Sequence, residues 1–172
     1  MIQEPRGLPL LTERLRIRMP TVDDTPGFHT LYSDPRVMKY LSTDPSKSLE
    51  ETCERVERLI KWQQEWGYTV WLVEHRLTGE FVGHCGLLQM ARKGPEVEVA
   101  YAVVPAQQGR GYATEAARTV LAYGLEVLGI SPIYAVCLPE NNGSEKVMEK
   151  IGMKWLERSN RFYDRELTIY QA

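Results

Sequence analysis

The chain has 172 residues and a formal net charge of −2 at pH 7, which argues against a nucleic-acid-binding protein. Hydrophobic residues make up 43% and charged residues 26%, an ordinary balance for a folded chain, and the apolar runs are too short to span a bilayer. The opening stretch, MIQEPRGLPLLTER, places charges and prolines where a signal peptide needs a continuous apolar segment. We therefore expect a single domain over residues 1–172 that is soluble and cytoplasmic and binds neither nucleic acid nor membrane.

The three cysteines, Cys53, Cys85 and Cys137, are widely separated and form no CxxC pair or Cys/His cluster. This spacing predicts reduced thiols and no metal site. His84 and Cys85 are adjacent in a predicted strand, so their side chains should point to opposite faces and cannot act as a pair.

Apolar spacing predicts strands and helices in alternation. A strand over residues 15–19 precedes a helical region over residues 21–33. A longer helix begins at a capping box formed by Ser48 and Glu51, and it ends at Gly67. Two strands joined by LTG then form a β-hairpin.

The run EVEVAYAVV continues this hairpin as a fourth strand, and a helix over residues 112–128 follows it. A fifth strand at PIYAVCL, a short helix at NNGSEKVMEKIG and closing strands complete the chain. An antiparallel meander with one strand–helix–strand crossover predicts an α+β fold, an α/β sandwich with a mixed sheet.

The stretch VVPAQQGRGYATEAAR leads from the fourth strand into a helix through a loop with two glycines. Such a loop aims free backbone N–H groups and the positive end of the helix dipole at one point, which favours a phosphate group. The P-loop pattern GxxxxGK[ST] is absent, and GRGYAT lacks the third glycine of the dinucleotide fingerprint. The strand also belongs to a hairpin instead of opening a parallel sheet.

The run QGRGYA matches Q/R-x-x-G-x-G/A, the pyrophosphate loop of the GNAT acetyl-CoA-dependent N-acetyltransferases. The chain most resembles the RimJ/RimL branch, through LLTERLRIR, EFVGHCGL, EVAYAVVPAQQGRGYATEA and PENNGSEKVMEKIGM in the same order. The resemblance implies the GNAT fold, with a central mixed, mostly antiparallel sheet flanked by helices and splayed near the fourth and fifth strands. It also implies acetyl-CoA as cosubstrate, no metal, and a monomer or homodimer.

The same resemblance implies a coenzyme A site. The backbone of Tyr101, Ala102 and Val103 would pair with the pantetheine arm like an added strand. The Asn141 side chain would lie beside the pantetheine, unless it only caps the short helix. Ser144 would lie near the thioester sulfur, unless it is an ordinary first-turn residue. The pyrophosphate would be held by the loop residues Gln108, Gly109, Arg110, Gly111, Tyr112, Ala113 and Thr114.

An amine acceptor must lose a proton before it attacks a thioester, so the reaction needs a base. Glu96 and Glu98 alternate with valines and share one face of the fourth strand. Glu98 stands at the glutamate of the branch's E-I-G-Y motif, which implies that it is the general base or the group that orients the ammonium. Glu96, close to the ARKGP turn, is interpreted as a solvated charge.

Many family members place a tyrosine acid seven residues after the asparagine, and here Met148 occupies that position. We therefore expect Ser144, or else solvent, to protonate the leaving thiolate. The Val103 N–H would polarise the thioester carbonyl as in an oxyanion hole.

The sequence thus predicts transfer of an acetyl group to a primary amine, either a peptide N-terminus such as that of a ribosomal protein or a small amine. The alternative is a coenzyme-A-binding regulatory or interaction module without catalysis. A nicotinamide-dependent oxidoreductase is disfavoured by the missing third glycine. Tyr32, Tyr40 and Trp66 are predicted to line the acceptor cleft.

Overall fold

Eight strands form one open sheet in the computed structural model, which describes residues 7–41 and 43–172. Residues 1–6, within the stretch predicted not to be a signal peptide, lie outside the described part. The strands are β1 (Leu10–Leu11), β2 (Leu15–Arg18), β3 (Val70–His75), β4 (Phe81–Gln89), β5 (Val97–Val103), β6 (Ile133–Cys137), β7 (Lys154–Ser159) and β8 (Leu167–Gln171). The helices are α1 (Thr25–Tyr32), α2 (Pro35–Met38), α3 (Leu49–Trp66), α4 (Tyr112–Ala122) and α5 (Asn142–Lys150).

The sheet has the order β1-β2-β3-β4-β5-β6-β8-β7, and every neighbouring pair is antiparallel except β5 and β6. These two strands are joined through α4 and pair only at Val97 with Ile133 and at Glu98 with Tyr134. Beyond Glu98 the strands separate. The predicted mixed, mostly antiparallel sheet is therefore confirmed, and so is the splay between the predicted fourth and fifth strands, which are β5 and β6.

Each face of the sheet buries its own hydrophobic core. The core under α4 and α5 includes Val97, Val99 and Met148. The core under α1, α2 and α3 has Ala100 and Ala102 packed against it. Because side chains alternate along a strand, β5 directs odd-numbered residues towards α4 and even-numbered residues towards α3. No described helix is long and apolar enough to cross a membrane.

The predicted capping box of α3 is present only in part. The Ser48 hydroxyl accepts a hydrogen bond from the Glu51 N–H at 3.2 Å, as expected. The Glu51 carboxylate, however, accepts from the Lys47 N–H at 2.7 Å, one residue before the predicted partner. Both bonds still satisfy backbone donors at the start of the helix. Gly67 ends α3 as predicted, with a φ of 80°.

The predicted helix over residues 112–128 changes its hydrogen bonding part way along. It is an α-helix to Ala122 and a π-helical turn over Tyr123–Val127. Gly124 lies in this turn, where a Cβ atom would be 2.6 Å from the Ile133 Cδ1. The wider turn thus lies close against the sheet, a tertiary contact that the spacing of apolar residues does not reveal.

Candidate active site

A cavity of about 790 Å³ opens where β5 and β6 separate, which is a size typical of small-molecule sites. The loop before α4 and the helix α5 line one part of it, and α2, α3 and the β7–β8 loop line another. It brings together nearly all of the predicted site residues, namely Glu98, Tyr101, Ala102, Val103, Gln108, Gly109, Gly111, Tyr112, Ala113, Thr114, Asn141 and Ser144. Arg110, also predicted for the site, is not among the lining residues.

The backbone of β5 offers a free edge to this cavity. The Val104 N–H donates to the Val82 carbonyl of β4, so Val104 faces β4. The Val103 carbonyl instead accepts from the Gln108 side chain at 2.9 Å, so Val103 faces away from β4. In an antiparallel pair the N–H and C=O of one residue point the same way. The N–H groups of Val103 and, two residues earlier, Tyr101 therefore face the gap between β5 and β6.

The loop before α4 places two glycines in the left-handed region, Gly109 with a φ of 76° and Gly111 with a φ of 81°. Gly111 is the N-cap of α4, and the first helical bond runs from the Glu115 N–H to the Gly111 carbonyl at 3.0 Å. The N–H groups of Tyr112, Ala113 and Thr114 precede this bond at the positive end of the helix dipole. The loop therefore has the geometry of an anion site.

A network of contacts around Glu115, formed with Thr12 and Arg14 and called the brace below, stabilises this loop. The sequence did not reveal it. The Glu115 carboxylate accepts from the Thr12 hydroxyl and from the Arg14 N–H and Nε, and it lies 2.6 Å from the Arg14 Nη2. The Arg14 Nη1 donates to the Arg110 carbonyl at 2.9 Å, and its guanidinium lies 4.6 Å from the centre of the Tyr112 ring. Arg14 and Glu115 belong to the T-E-R and Y-A-T-E-A stretches of the sequence. These stretches are 101 positions apart, so the sequence gives no sign that the two side chains meet.

The brace predicts a stability effect. Desolvation works against the ionised Glu115, but hydrogen bonds from Thr12 and Arg14 outweigh it and lower the carboxyl pKa below 4.5. A lowered pKa adds stability above the unfolded-state value, and this stability is lost as pH falls through the folded-state pKa. We expect Glu115→Gln to cost roughly 1–3 kcal/mol of unfolding free energy at pH 7 and less in acid. Urea unfolding at about pH 7 and about pH 3.5, on either side of the ordinary carboxyl range, measures both values.

Glu126→Gln is the matched control, since Glu126 is exposed further along the same helical segment. A Glu115→Gln cost that does not shrink in acid would show that the carboxylate charge is not what braces the loop.

Glu98 lies on the α3 side of β5 and is only 5% exposed. Its Oε1 accepts a hydrogen bond from the Tyr163 hydroxyl and lies 3.5 Å from the Arg92 Nη1. Burial raises the pKa of Glu98, while the bond from Tyr163 and the charge of Arg92 offset part of that rise. The result is a buried carboxylate whose proton affinity is above that of an ordinary glutamate.

Tyr163 and Arg92 are further site residues that the sequence did not reveal. Tyr163 comes from the β7–β8 loop, and its hydroxyl also accepts from the Ala91 N–H at 3.1 Å. Ala91 and Arg92 both have positive φ values, 52° and 60°. The loop between β4 and β5 is thus held in a strained conformation beside Glu98.

Asn141 and Ser144 lie together at the start of α5. The Asn141 Oδ1 accepts from the Ser144 N–H at 3.1 Å, so this side chain caps the helix while also lining the cavity. The Ser144 hydroxyl is 2.9 Å from the Tyr101 hydroxyl. Burial raises the pKa of the nearby Cys137 thiol to about 11, and a hydrogen bond with Ser144 offsets part of that rise. Ser144 therefore belongs to a pair of hydroxyl groups at the gap between β5 and β6.

Burial lowers the pKa of His84 to about 3, assisted by the charge of Arg92, so this imidazole stays neutral and is no competing base. Its Nδ1 lies 3.0 Å from the Tyr32 hydroxyl on the α1 side, while Cys85 packs in the opposite core, as predicted. Tyr32 and Tyr40 line the cavity as expected. Trp66 does not, because it stacks on Trp62 at 5.0 Å, and Trp62 lies at the cavity wall instead.

A splayed parallel strand pair, a free strand edge and the anion-binding geometry at the following helix are the arrangement expected of an acyl-CoA-dependent acyltransferase. Residues 14–154 match the family model described as the acetyltransferase (GNAT) domain. The chain belongs to the GNAT family of N-acetyltransferases. No group of His, Cys, Asp and Glu that could hold a metal ion occurs among the residues that the structure describes.

Known relatives and structures support this assignment. The chain is 34% identical over 164 residues, 94% of each chain, to the uncharacterised protein YkkB of Bacillus subtilis (strain 168). It is 26% identical to the spermidine N(1)-acetyltransferase of Escherichia coli (strain K12), with 76% of this chain and 67% of that protein covered. RimL, a ribosomal L7/L12 α-N-protein acetyltransferase solved with coenzyme A, has a TM-score of 0.79 at 18% identity over 95% and 96% of the two chains, a likeness of fold.

Proposed function

We propose that this protein transfers the acetyl group of acetyl-CoA directly to a primary amine, with Glu98 as the general base. The observation that carries the proposal is the buried Glu98 carboxylate, whose pKa is raised, in a cavity that also contains the free β5 edge. A base works best when its pKa approaches the working pH. Among the described residues that line the cavity, Glu98 is the one carboxylate.

In the proposed reaction the pantetheine arm pairs with the backbone of Tyr101, Ala102 and Val103, and the pyrophosphate lies at the loop before α4. Glu98 removes one proton from the acceptor ammonium, directly or through a water. The freed nitrogen forms a bond to the acetyl carbon, the carbon–sulfur bond breaks with its electron pair on sulfur, and the nitrogen loses its second proton, which passes to the thiolate through Ser144. The Val103 N–H, which faces the gap, stabilises the developing oxyanion. No covalent enzyme intermediate is needed.

The leaving thiolate is proposed to receive its proton from Ser144. Because coenzyme A is a moderately good leaving group, this proton is helpful without being essential. We expect Ser144→Ala to lower kcat roughly three- to tenfold, less than the roughly 10²- to 10⁴-fold that a general acid usually contributes, because the thiolate can leave without a proton. Stopped-flow detection of released thiol measures the change, with Ser131→Ala, an exposed loop substitution, as control. An unaltered kcat would assign the proton to solvent.

The activity itself is tested by incubating the protein with acetyl-CoA and a panel of amines while following thiol release. The panel contains alkylamines, polyamines, amino acids and peptides with free N-termini, since one relative acetylates spermidine and one structural neighbour acetylates a ribosomal protein. Coenzyme A binding without thiol release for any amine would favour the non-catalytic module. We propose a cytoplasmic location, where the separated cysteines would stay reduced.

A further inference from the structure

The charges around the cavity are unbalanced in a chain whose net charge is −2. Glu98 supplies the negative charge among the described lining residues. Two lysines of α5, Lys146 and Lys150, lie on the part of the wall that adjoins the proposed coenzyme A site. Five arginines line the part formed by α2, α3 and the loops beside Glu98, namely Arg36, Arg55, Arg58, Arg92 and Arg165.

On helix α3, acidic and basic side chains lie on different faces. The helix carries five glutamates, and none of them lines the cavity. Both of its arginines do, and Arg55, Arg58 and Trp62 follow the i, i+3, i+7 spacing of one helix face. The glutamates of α3 thus lie elsewhere on the helix, and its two arginines face the cavity.

Intramolecular partners occupy some of these arginines and leave others free to bind a ligand. Arg36 is paired with the Asp34 carboxylate at 2.6 Å, whereas Arg55 donates only to uncharged oxygens, the Thr43 hydroxyl and the Asp44 carbonyl, and has no carboxylate partner among the described residues. Arg58, in contrast, makes no hydrogen bond or ion pair with any residue that the structure describes. It lines the cavity with its full charge available.

The available charge lies next to the proposed amine site. The Arg55 guanidinium lies 5.5 Å from the centre of the Tyr32 ring. Burial raises the pKa of the Tyr32 hydroxyl, and the charges of Arg55, Arg92 and Arg58 each offset part of that rise. Arg92 also reaches Glu98 at 3.5 Å and lies 5.7 Å from the Trp62 ring. A positive region and the proposed base therefore adjoin within one small cavity, and like charges there repel unless an anion is bound.

We propose that the acceptor is a small amine that also carries a carboxylate or phosphate group, which is held by Arg58 together with Arg55 and Arg92. The inference rests on the proposed function and names the substrate class of the same site. The amine would lie at Glu98, and the anionic group would lie a few bonds away at the arginines. A polyamine would instead bring additional positive charge towards three guanidinium groups, which disfavours it.

We assign these arginines to the acceptor and not to the coenzyme A phosphates because of their place in the fold. They come from α2, α3 and the loops beside Glu98, whereas the pyrophosphate is proposed to lie at the loop before α4. The cavity-lining lysines, Lys146 and Lys150, belong to α5, the helix that has Asn141 and Ser144 at its start. They therefore lie on the proposed coenzyme A side of the cavity. A role in binding the cosubstrate would appear as a changed KM for acetyl-CoA, which the experiment measures separately.

The experiment compares kcat/KM for matched amines with and without an anion. β-Alanine and 2-aminoethylphosphonate carry a carboxylate and a phosphonate, n-propylamine is the counterpart without an anionic group, and putrescine and spermidine carry added positive charge. Acidic and basic peptides with free N-termini complete the panel. We expect the anionic small amines to exceed n-propylamine and the polyamines by roughly tenfold to a hundredfold, as charge-assisted hydrogen bonds do elsewhere.

Variants of Arg58 test the residue itself. We expect Arg58→Gln to lower the ratio of kcat/KM for the anionic amine to that for n-propylamine by roughly tenfold, and Arg58→Glu to lower it further, with KM for acetyl-CoA unchanged. Lys61→Gln removes an exposed cation of the same helix α3 that does not line the cavity, and it should leave the ratio as it is.

The outcomes separate the two proposals. Thiol release that is equal or faster with polyamines, n-propylamine or basic peptides would overturn the anionic-acceptor inference and leave the acetyltransferase proposal standing. A ratio that Arg58→Gln does not alter would likewise overturn the inference. Absence of thiol release with every amine of the panel would contradict the proposed function, and the inference with it.

Discussion

Glu98→Gln is expected to lower kcat/KM about 10²- to 10⁴-fold, because the amide keeps the shape of the side chain and cannot accept the ammonium proton. The change should fall on kcat, with KM for acetyl-CoA unchanged, since Glu98 lies on the α3 side of β5, away from the pyrophosphate loop. The measurement is the initial rate of thiol release from about pH 4, the ordinary carboxyl range, to about pH 10, close to the pKa of an alkyl ammonium. Glu96→Gln is the matched control, two residues earlier, where we expect a solvated charge without a role in the reaction.

The pH profile distinguishes a general base from a residue that only supports the structure. The carboxylate must be ionised to accept a proton, so activity should rise as pH passes the raised pKa of Glu98. The Tyr163 hydroxyl bond lowers that pKa, so Tyr163→Phe should raise it further and move the acidic limb to higher pH. A Glu98→Gln variant that keeps full activity over the whole range would remove the base assignment and leave the family assignment intact.

Most of the fold could be predicted because its signals are local. The alternation of LRIR, the spacing along α3 and the glycine at its end each depend on residues a few positions apart. The same holds for the loop before α4, whose two glycines take the positive φ values that the motif implies. Local chemistry therefore indicated where an anion could bind before any tertiary contact was known.

The missed features all depend on contacts between distant residues. Glu115 meets Arg14 across 101 positions, and Tyr163 meets Glu98 across 65. Gly124, in the π-helical turn after α4, lies close to Leu87 of β4, whose Cδ1 would be 3.0 Å from a Cβ at this position. A periodic pattern shows which face of an element is buried, but it does not show which partner lies there. The arginine-lined part of the cavity was missed for the same reason, since its residues come from separate segments of the chain.

Gly111→Ala is expected to raise KM for acetyl-CoA roughly tenfold to a hundredfold, the loss expected when one or two charge-assisted hydrogen bonds are misplaced. Gly111 has a φ of 81°, and a non-glycine residue there costs about 1–2 kcal/mol, so the loop should shift towards another conformation. A Cβ at this position meets nothing closer than the Arg14 Nη2 at 3.5 Å, an ordinary contact, so no steric clash inside the protein obscures the result. The loss should arise because the N–H groups of Tyr112 and Ala113 no longer converge on the pyrophosphate.

Gly129→Ala provides a close control for backbone strain. Gly129 also has a positive φ, 67°, has no atom within 4 Å of the position that a Cβ would take, and follows the helical segment that Gly111 begins. Both variants should lose similar unfolding free energy in urea, whereas the KM for acetyl-CoA should rise for Gly111→Ala alone. Titration calorimetry with coenzyme A separates binding from turnover. Equal affinity of the two variants for coenzyme A would mean that the pyrophosphate does not lie at this loop. Backbone strain alone would then explain the effects of Gly111→Ala.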